Sequence, residues 1–293
     1  MMNTINLKEP VLNLIRLAST DLPGDIELGL KQARTNEKEE AALFALESIL
    51  KNVSMAREKQ IPMCQDTGLP IFHVYYPNGT SMLAVKEEIL TAVRKATKNG
   101  YLRPNAVDAV TGENSGNNTG CDHFPLFHFN EWEKPHLQIT LMLKGGGSEN
   151  VSCQYTLPDS SLMAARDLAG VRRVVLDAVN KAQGKGCPPG ILGIGIGGDR
   201  ASSYEVAKES LLRKLDEPNP VPELDLFERK LTDEINSMGI GPMGFGGHTT
   251  VLGVKAKACH RLPACFFVSI AYMCWACRRW SLSMDGEKVE YFS

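Results

Sequence analysis

The sequence predicts a mixed α/β (α+β) protein in which β-sheets are flanked by helices. Segments with helical spacing of apolar residues alternate with short apolar runs rich in β-branched and aromatic residues, and glycine-rich loops adjoin several of these runs. The chain has 293 residues, of which 43% are hydrophobic and 23% are charged. This composition excludes a disordered chain. No shift in composition divides it, so we expect a single domain over residues 1–293.

The helices and strands follow from local patterns. Leu43, Leu46, Ile49 and Leu50 have helical spacing within a polar region. We predict helices at 36–59, 84–98, 162–183, 204–213 and 224–238. We predict strands within 61–79, 125–132, 136–143, 184–199, 249–260, 263–275 and 287–293. The apolar run 262–277 is too short to cross a membrane and reads as a buried strand.

The charge balance limits the partners. There are 32 Lys and Arg against 34 Asp and Glu, a net charge of -2. A nucleic-acid-binding surface normally leaves a basic excess, so we expect no nucleic-acid partner. The N-terminus has no basic segment before a long apolar one, so we expect no secretion signal, no membrane association and a cytoplasmic location.

Four glycine-rich or polar loops are candidates for a ligand site: CQDTG, SGNNTG, KGGGSEN and CPPGILGIGIGG. Each alone is best explained as a tight turn. Four in one chain, two of them with a cysteine, favour a pocket lined by backbone N–H groups. Gly193, Gly195 and Gly198 also spell G-x-G-x-x-G. Since no clear βαβ unit carries an acidic residue at the expected place, we predict a glycine strand packed closely against a neighbour. An NAD(P)-dependent oxidoreductase remains an alternative.

The reactive side chains exclude several chemistries. Cys274 and Cys277 form C-x-x-C, but an apolar strand-like run separates them from Cys259 and Cys265, so a zinc site is not favoured. The six histidines are scattered and form no H-E-x-x-H, and no G-x-S-x-G elbow of a serine hydrolase is present.

Taken together, the ordered motifs resemble one family. IPMCQDTGLP, NNTG, KGGGSEN, GKGCPPGILGIGIGGDR, GIGPMGFGGHTTVLGVK and YMCWACRR occur in this order. The chain resembles the α-subunit, or N-terminal iron–sulfur domain, of class I fumarate hydratase, of which the tartrate dehydratase α-subunit is a close relative. The dense matches run from about residue 64 to residue 279, with compatible helical sequence before them.

The resemblance implies a 4Fe-4S cluster held by Cys64, Cys187 and Cys274. With three thiolate ligands, the fourth iron is left open to act as a Lewis acid on the substrate. The other five cysteines are expected to be buried small hydrophobic residues: Cys121, Cys153, Cys259, Cys265 and Cys277.

The implied reaction is the reversible hydration of fumarate to (S)-malate. Gln65 and Asp66 match family residues that face the substrate, and Asp66 is expected to act as an acid/base or proton-relay group while also capping the DTG turn. Arg103 matches an arginine that clamps a substrate carboxylate. The backbone of Gly146 is expected to contact the ligand, and the same pocket is expected to include Asn118 and Thr119.

Two departures from the family pattern matter. Some members carry a histidine twelve residues before the third cysteine, where this chain has Leu262. The nearby His260 either serves the pocket through a shifted backbone or is a structural strand-end residue. The family's catalytic threonine and further arginine and lysine contacts belong to a β-subunit or C-terminal domain. Because the chain ends at Ser293, we expect a half-enzyme that needs such a partner and forms a homodimer.

Three alternatives stay open beside the fumarate hydratase. The first is a tartrate or other C4-dicarboxylate dehydratase α-subunit, with the same cluster and a different substrate. The second is a non-catalytic assembly subunit that holds no cluster. The third is the NAD(P)-dependent oxidoreductase built around GIGIGG.

Overall fold

A computed structural model describes residues 6–293 of the chain. These residues form eight α-helices and nine strands, confirming a mixed α/β class. The helices are α1 Lys8–Thr20, α2 Gly24–Asn36, α3 Glu40–Lys59, α4 Met82–Lys98, α5 Gly146–Asn150, α6 Leu168–Ala182, α7 Arg200–Ser210 and α8 Pro222–Ser237. The strands are β1 Leu69–Pro77, β2 Leu126–Trp132, β3 Leu137–Lys144, β4 Cys153–Thr156, β5 Gly190–Ile196, β6 Val251–Ala258, β7 Phe267–Met273, β8 Arg278–Asp285 and β9 Lys288–Phe292.

The described residues divide into two compact units. The first contains residues 6–23, Asn52–Gly145 and Ala276–Ser293, and the second contains Gly24–Lys51 and Gly146–Trp275. Within residues 6–293, no helix is both long enough and apolar enough to cross a membrane. A single domain over residues 1–293 stays a prediction.

The first unit is built on a five-stranded sheet in the order β2-β1-β3-β8-β9. β1 and β2 are parallel, and the other neighbours are antiparallel. The helices α1 and α4 bury apolar residues such as Leu14 and Ile89 against this sheet. Ser81 starts α4, since its side chain accepts a hydrogen bond from the backbone N–H of Ala84.

The second unit is built on a four-stranded sheet in the order β4-β7-β5-β6, in which β5 and β6 are parallel. The predicted close packing of the glycine strand is confirmed. A Cβ added at Gly193 would lie 2.0 Å from the oxygen of Ala207, and one at Gly195 would lie 2.0 Å from the oxygen of Ser203. These glycines therefore let α7 approach β5. The chain does cross from β5 to parallel β6 through α7 and α8, a βαβ connection that the sequence does not reveal.

Some boundaries differ from the sequence predictions. The helix predicted at 162–183 begins at Leu168, because the Asp167 side chain caps it by accepting from the backbone N–H of Gly170 at 2.7 Å. KGGGSEN contains the short helix α5 where a loop was predicted, and α1, β4 and β8 were not predicted. β8 opens with Arg278 and Arg279, and both are buried. The buried strand predicted within 262–277 is confirmed as β7.

Candidate functional site

In the first unit, the CQDTG loop joins α3 to β1 and carries a half-buried Cys64. Asp66 caps the turn, since its Oδ1 accepts from the backbone N–H of Gly68 at 3.0 Å. Gly68 has a φ of +80°, and a Cβ there would lie 2.8 Å from the carbonyl of Lys144. The loop conformation therefore requires glycine at this position.

Thr67 joins this loop to the segment that carries Arg103. Thr67 is fully buried, and its Oγ1 accepts from the backbone N–H of Arg103 at 3.0 Å and from Asn105 Nδ2 at 3.1 Å. The Arg103 guanidinium is exposed and lies 3.5 Å from the main-chain oxygen of Gln65. The structure thus brings Gln65, Asp66 and Arg103 together, and the exposed guanidinium can offer a planar pair of donors to a carboxylate.

Asn118 supports the Arg103 segment. It is 2% exposed and has a φ of 60°. Its Oδ1 accepts from the backbone N–H groups of Asn105 and Ala106 at 2.7 and 3.2 Å. Its Nδ2 donates to Thr97 Oγ1 at 3.0 Å and to the Arg103 oxygen at 2.7 Å. These four bonds commit the amide to shaping the loop.

Thr119 follows in the same loop and is half-buried. Both its backbone N–H and its hydroxyl donate to Asn117 Oδ1, at 3.0 and 2.9 Å. The hydroxyl of Thr119 is therefore engaged in a local turn.

Arg278 is a further candidate site residue, which the sequence motifs do not single out. It is 1% exposed, and its NH1 donates to the main-chain oxygen of Asp66 at 2.7 Å. A Cβ placed on Gly145 would lie 3.0 Å from Asp66 Oδ2 and 3.6 Å from Arg278 NH2, so the two side chains approach the same point. The two arginines directly after CWAC indicate such a role, because charged residues next to an apolar strand are usually paired when they are buried.

In the second unit, the backbone around Cys187 is tightly held. Cys187 has left-handed dihedral angles, φ 54° and ψ 62°. Its N–H donates to the Gly184 oxygen at 3.1 Å, and its oxygen accepts from the N–H of Trp275 at 3.1 Å. The N–H of Met243 donates to the oxygen of Pro188 at 2.8 Å. The Cys187 thiol therefore projects from a preorganised loop.

Cys274 lies at the same end of the four-stranded sheet as Cys187. Cys187 precedes β5, Cys274 follows antiparallel β7, and the register pairs Ile191 with Met273. Both cysteines are half-buried and free of disulfides. The hydrogen bond from Trp275 to Cys187 joins the two cysteine segments directly.

Gly146 starts α5, close to this edge. A Cβ at the next residue, Gly147, would lie 4.0 Å from the oxygen of Lys185. Ser152 anchors α5 to β7, since its Oγ donates to the Ser148 oxygen at 2.9 Å and accepts from the N–H of Tyr272 at 3.0 Å. The helix α5 and the segment that leads into the CPPG loop therefore lie near each other in the second unit.

His260 lies at the opposite end of this sheet. It follows β6, whose last residues pair with the end of β5 at Ile196, and its oxygen accepts from the N–H of Gly198 at 3.2 Å. The seven residues of β5 span about 20 Å. The structure therefore does not bring His260 together with Cys187 and Cys274. Leu262 is exposed.

The five remaining cysteines differ in burial. Cys277 is fully buried, as expected, whereas Cys121 is exposed because it lies in the loop between α4 and β2. The expectation of burial is wrong for Cys121. Cys153, Cys259 and Cys265 are half-buried, and burial raises the pKa of the Cys153 thiol.

Cysteine thiols are the donor atoms that the described residues offer to an iron–sulfur cluster. Among residues 6–293, no three side chains of His, Cys, Asp and Glu gather around one ion position. Iron–sulfur clusters are held by cysteine thiolates. In the second unit, Cys187 and Cys274 are half-buried thiols on adjoining backbone segments. In the first unit, Cys64 is a half-buried thiol on a glycine-shaped loop.

Each unit thus carries half-buried cysteine on a glycine-rich loop next to a strand, so the chain is a mixed α/β protein with cysteine-bearing loops. The comparisons with known proteins name the family. The model of the family described as fumarate hydratase (Fumerase) matches residues 8–283. The chain belongs to this family.

Three relatives show how far the similarity extends. The chain is 47% identical over 292 residues to a Geobacillus stearothermophilus protein titled "Putative fumarate hydratase class I", covering 97% of this chain and 57% of that protein. It is 37% identical to the "Putative L(+)-tartrate dehydratase subunit alpha" of Methanocaldococcus jannaschii, covering 94% and 96%. It is 30% identical to the L(+)-tartrate dehydratase subunit alpha of Escherichia coli K12, covering 96% and 91%. The chain thus spans little more than half of the first relative.

Proposed function

We propose that this chain is the cluster-bearing part of a hydro-lyase that hydrates fumarate reversibly to (S)-malate. Cys64, Cys187 and Cys274 would hold a 4Fe-4S cluster. The observation that carries the proposal is the hydrogen-bonded pairing of the Cys187 and Cys274 segments in a chain of the fumarate hydratase family. The cluster, when bound, supplies an open iron as a Lewis acid for a substrate carboxylate and hydroxyl.

The roles of the surrounding residues follow from their contacts. Arg103 is exposed next to the CQDTG loop, so it would bind a substrate carboxylate through paired N–H donors. Gln65 would orient the substrate from the same loop. Asp66 would hold or move a proton, since its Oδ1 already lies in a fixed turn geometry. Gly146 would offer its backbone N–H at the start of α5.

Asn118 and Thr119 would act by positioning. The Asn118 amide holds the main-chain oxygen of Arg103, which sets where the guanidinium emerges. His260 has no part in this proposal, because it lies at the far end of the second unit's sheet.

A second candidate is dehydration of L(+)-tartrate or another C4 dicarboxylate. Two of the relatives are titled α-subunits of L(+)-tartrate dehydratase, and this chain covers 96% and 91% of them. Fumarate is favoured, because the identity is higher to the relative titled a class I fumarate hydratase.

The proposed partner is a β-subunit or C-terminal domain that supplies the remaining catalytic groups. The titles "subunit alpha" support a β-subunit, and the greater length of the Geobacillus relative is compatible with a fused form. We further propose a homodimer of this chain in the cytoplasm. Its eight free cysteines suit a reducing compartment.

The test is anaerobic reconstitution of the chain with iron and sulfide. We expect visible absorption of a 4Fe-4S cluster and, after mild oxidation, the electron paramagnetic resonance signal of a three-iron cluster. Addition of the β partner should then give fumarate hydration with a higher kcat/KM than tartrate dehydration. Absence of bound iron while the thiols remain reduced would overturn the proposal and favour an assembly subunit.

A further inference from the structure

Tyr272 carries a buried hydroxyl that the proposed reaction does not use. The residue lies near the end of β7, two positions before Cys274, and is 2% exposed. In the part of the chain that the structure describes, its Oη has no hydrogen-bond partner. A buried hydroxyl without a partner destabilises the folded state, so its presence calls for an explanation.

The phenol lies against both ends of the loop that carries Cys187. A Cβ added at Gly186 would lie 2.4 Å from Tyr272 Cε1, and one at Gly190 would lie 2.6 Å from Tyr272 Oη. Real side chains do not approach this closely, so glycine at both positions is what admits the ring. The hydroxyl consequently lies beside the segment 186–190, which contains Cys187.

Cys274 approaches from the same edge of the sheet. The N–H of Trp275 donates to the oxygen of Cys187 at 3.1 Å, which holds the end of β7 beside the Cys187 loop. The unpartnered donor and two of the proposed cluster ligands therefore lie together within the second unit.

We propose that the hydroxyl of Tyr272 donates a hydrogen bond to a sulfur atom of the iron–sulfur cluster held by Cys187 and Cys274. This inference rests on the proposed function. Tyr272 is then a positioning residue that acts through the cluster and does not touch the substrate. A hydrogen bond to a cluster sulfur stabilises the more negative, reduced state, so it raises the reduction potential.

The bond also predicts better retention of the cluster. Loss of an outer-shell partner typically weakens metal binding 10- to 100-fold. A phenol that only fills space predicts something different. Its replacement by Phe would then leave the cluster unchanged and would stabilise the fold slightly, because an unsatisfied buried hydroxyl is removed.

The test compares wild type, Tyr272→Phe and Tyr155→Phe as full chains reconstituted anaerobically with iron and sulfide. Tyr155 is the matched control, because it lies on β4 next to β7 and its hydroxyl already donates to Asp177 Oδ2 at 2.7 Å. The readouts are the midpoint potential of the three-iron form, the release of iron to a chelator, and pulsed electron paramagnetic resonance after exchange into D₂O.

In Tyr272→Phe we expect a lower midpoint potential, about 10-fold faster iron release and loss of one exchangeable-deuteron coupling that the wild type shows. Tyr155→Phe should match the wild type in all three. An unchanged potential and unchanged deuteron couplings in a cluster-bearing Tyr272→Phe protein would overturn the inference while the proposed function stands. If Tyr272→Phe does not fold, absence of that coupling in wild type overturns it. If wild type binds no cluster, the proposed function fails, and this inference fails with it.

Discussion

The NH1 group of Arg278 donates a hydrogen bond of 2.7 Å to the main-chain oxygen of Asp66, 212 residues earlier in the chain. Arg278 is 1% exposed and begins β8, so a buried cation braces the loop that also carries Cys64. The CQDTG loop is therefore shaped from two sides. The Asp66 carboxylate caps its own turn, and the guanidinium holds the main-chain carbonyl.

Replacement of Arg278 by Met should lower the free energy of unfolding by about 2–3 kcal/mol, because a buried charge-assisted hydrogen bond is lost. Urea denaturation measures this. The control is Arg57→Met in the same unit, where the Arg57–Asp21 pair is partly exposed. Its loss should cost less than about 1 kcal/mol. Equal costs in the two variants would refute the bracing role of Arg278.

Replacement of Cys64, Cys187 or Cys274 by Ser should abolish stable cluster binding, since each thiolate is a proposed iron ligand. Iron and sulfide per chain after reconstitution are the measurement. Cys121→Ser is the control, because Cys121 is exposed and has no proposed ligand role. Full cluster occupancy in Cys187→Ser would remove that residue from the ligand set.

Replacement of Gly190 by Ala should destabilise the second unit by about 1–3 kcal/mol, because the new Cβ would lie 2.6 Å from the Tyr272 hydroxyl oxygen. Thermal unfolding and iron content both report it. Gly24→Ala is the control, since a Cβ there meets nothing within 4 Å. Adding Tyr272→Ala should relieve the clash of Gly190→Ala, and no relief in this double variant would contradict the packing described.

Replacement of Asn118 by Ala should lower the free energy of unfolding by about 2–3 kcal/mol. The buried amide makes four hydrogen bonds, and the backbone at this position has a φ of 60°. We also expect a raised KM for the dicarboxylate, since the Arg103 segment loses its support. Asn78→Ala is the control, because Asn78 makes an exposed bond to Glu131. A KM equal to that of wild type in a folded Asn118→Ala enzyme would argue against the positioning role.

Glu37 should make the second unit sensitive to acid. Burial acts to raise the pKa of this carboxylate, but hydrogen bonds from backbone N–H groups, His248 first among them, outweigh burial and lower the pKa below its ordinary value of 4.5. A lowered folded-state pKa gives stability that is present above about pH 4.5 and is lost as the pH falls through the folded value.

Glu37→Gln should therefore lower the free energy of unfolding by about 2 kcal/mol at pH 7. The difference in unfolding free energy between this variant and wild type should shrink below about pH 4.5. Urea denaturation at several pH values measures both. The control is Glu47→Gln, because Glu47 makes only a half-exposed pair with Arg34 among the contacts described. A gap between wild type and Glu37→Gln that stays constant down to acid pH would contradict the role assigned to this carboxylate.

Much of the local structure could be predicted from the sequence. The helical spacing around Leu46 predicts α3, and the β-type residues within 262–277 predict β7, because both signals depend on nearest-neighbour periodicity. The start of α6 was predicted six residues too early. The spacing of apolar residues extends further towards the N-terminus than the helix does, and the Asp167 side chain sets the first turn of α6 by capping it.

The candidate residues were predictable only in part. The ordered motifs identify the loops of Cys64 and Cys187 as candidate site loops. Arg103 and Gln65 are candidates from separate motifs, and the structure places them next to each other. His260 was a candidate because it lies close in sequence to Leu262, yet strand direction carries it to the far end of the sheet. A short separation in sequence does not place two residues at the same end of a sheet, since a single strand carries the chain from one end of the sheet to the other.

The sequence by itself determined the fold class, the glycine-shaped loops and the family, because these depend on residue types in a fixed order. Only the tertiary structure decided that Arg278 is buried against Asp66 and that the Tyr272 hydroxyl lies beside the Cys187 loop. An arginine and a tyrosine are compatible with either surface or interior. Their environment is set by segments distant in the chain, which bring the hydrogen-bond acceptors and exclude water.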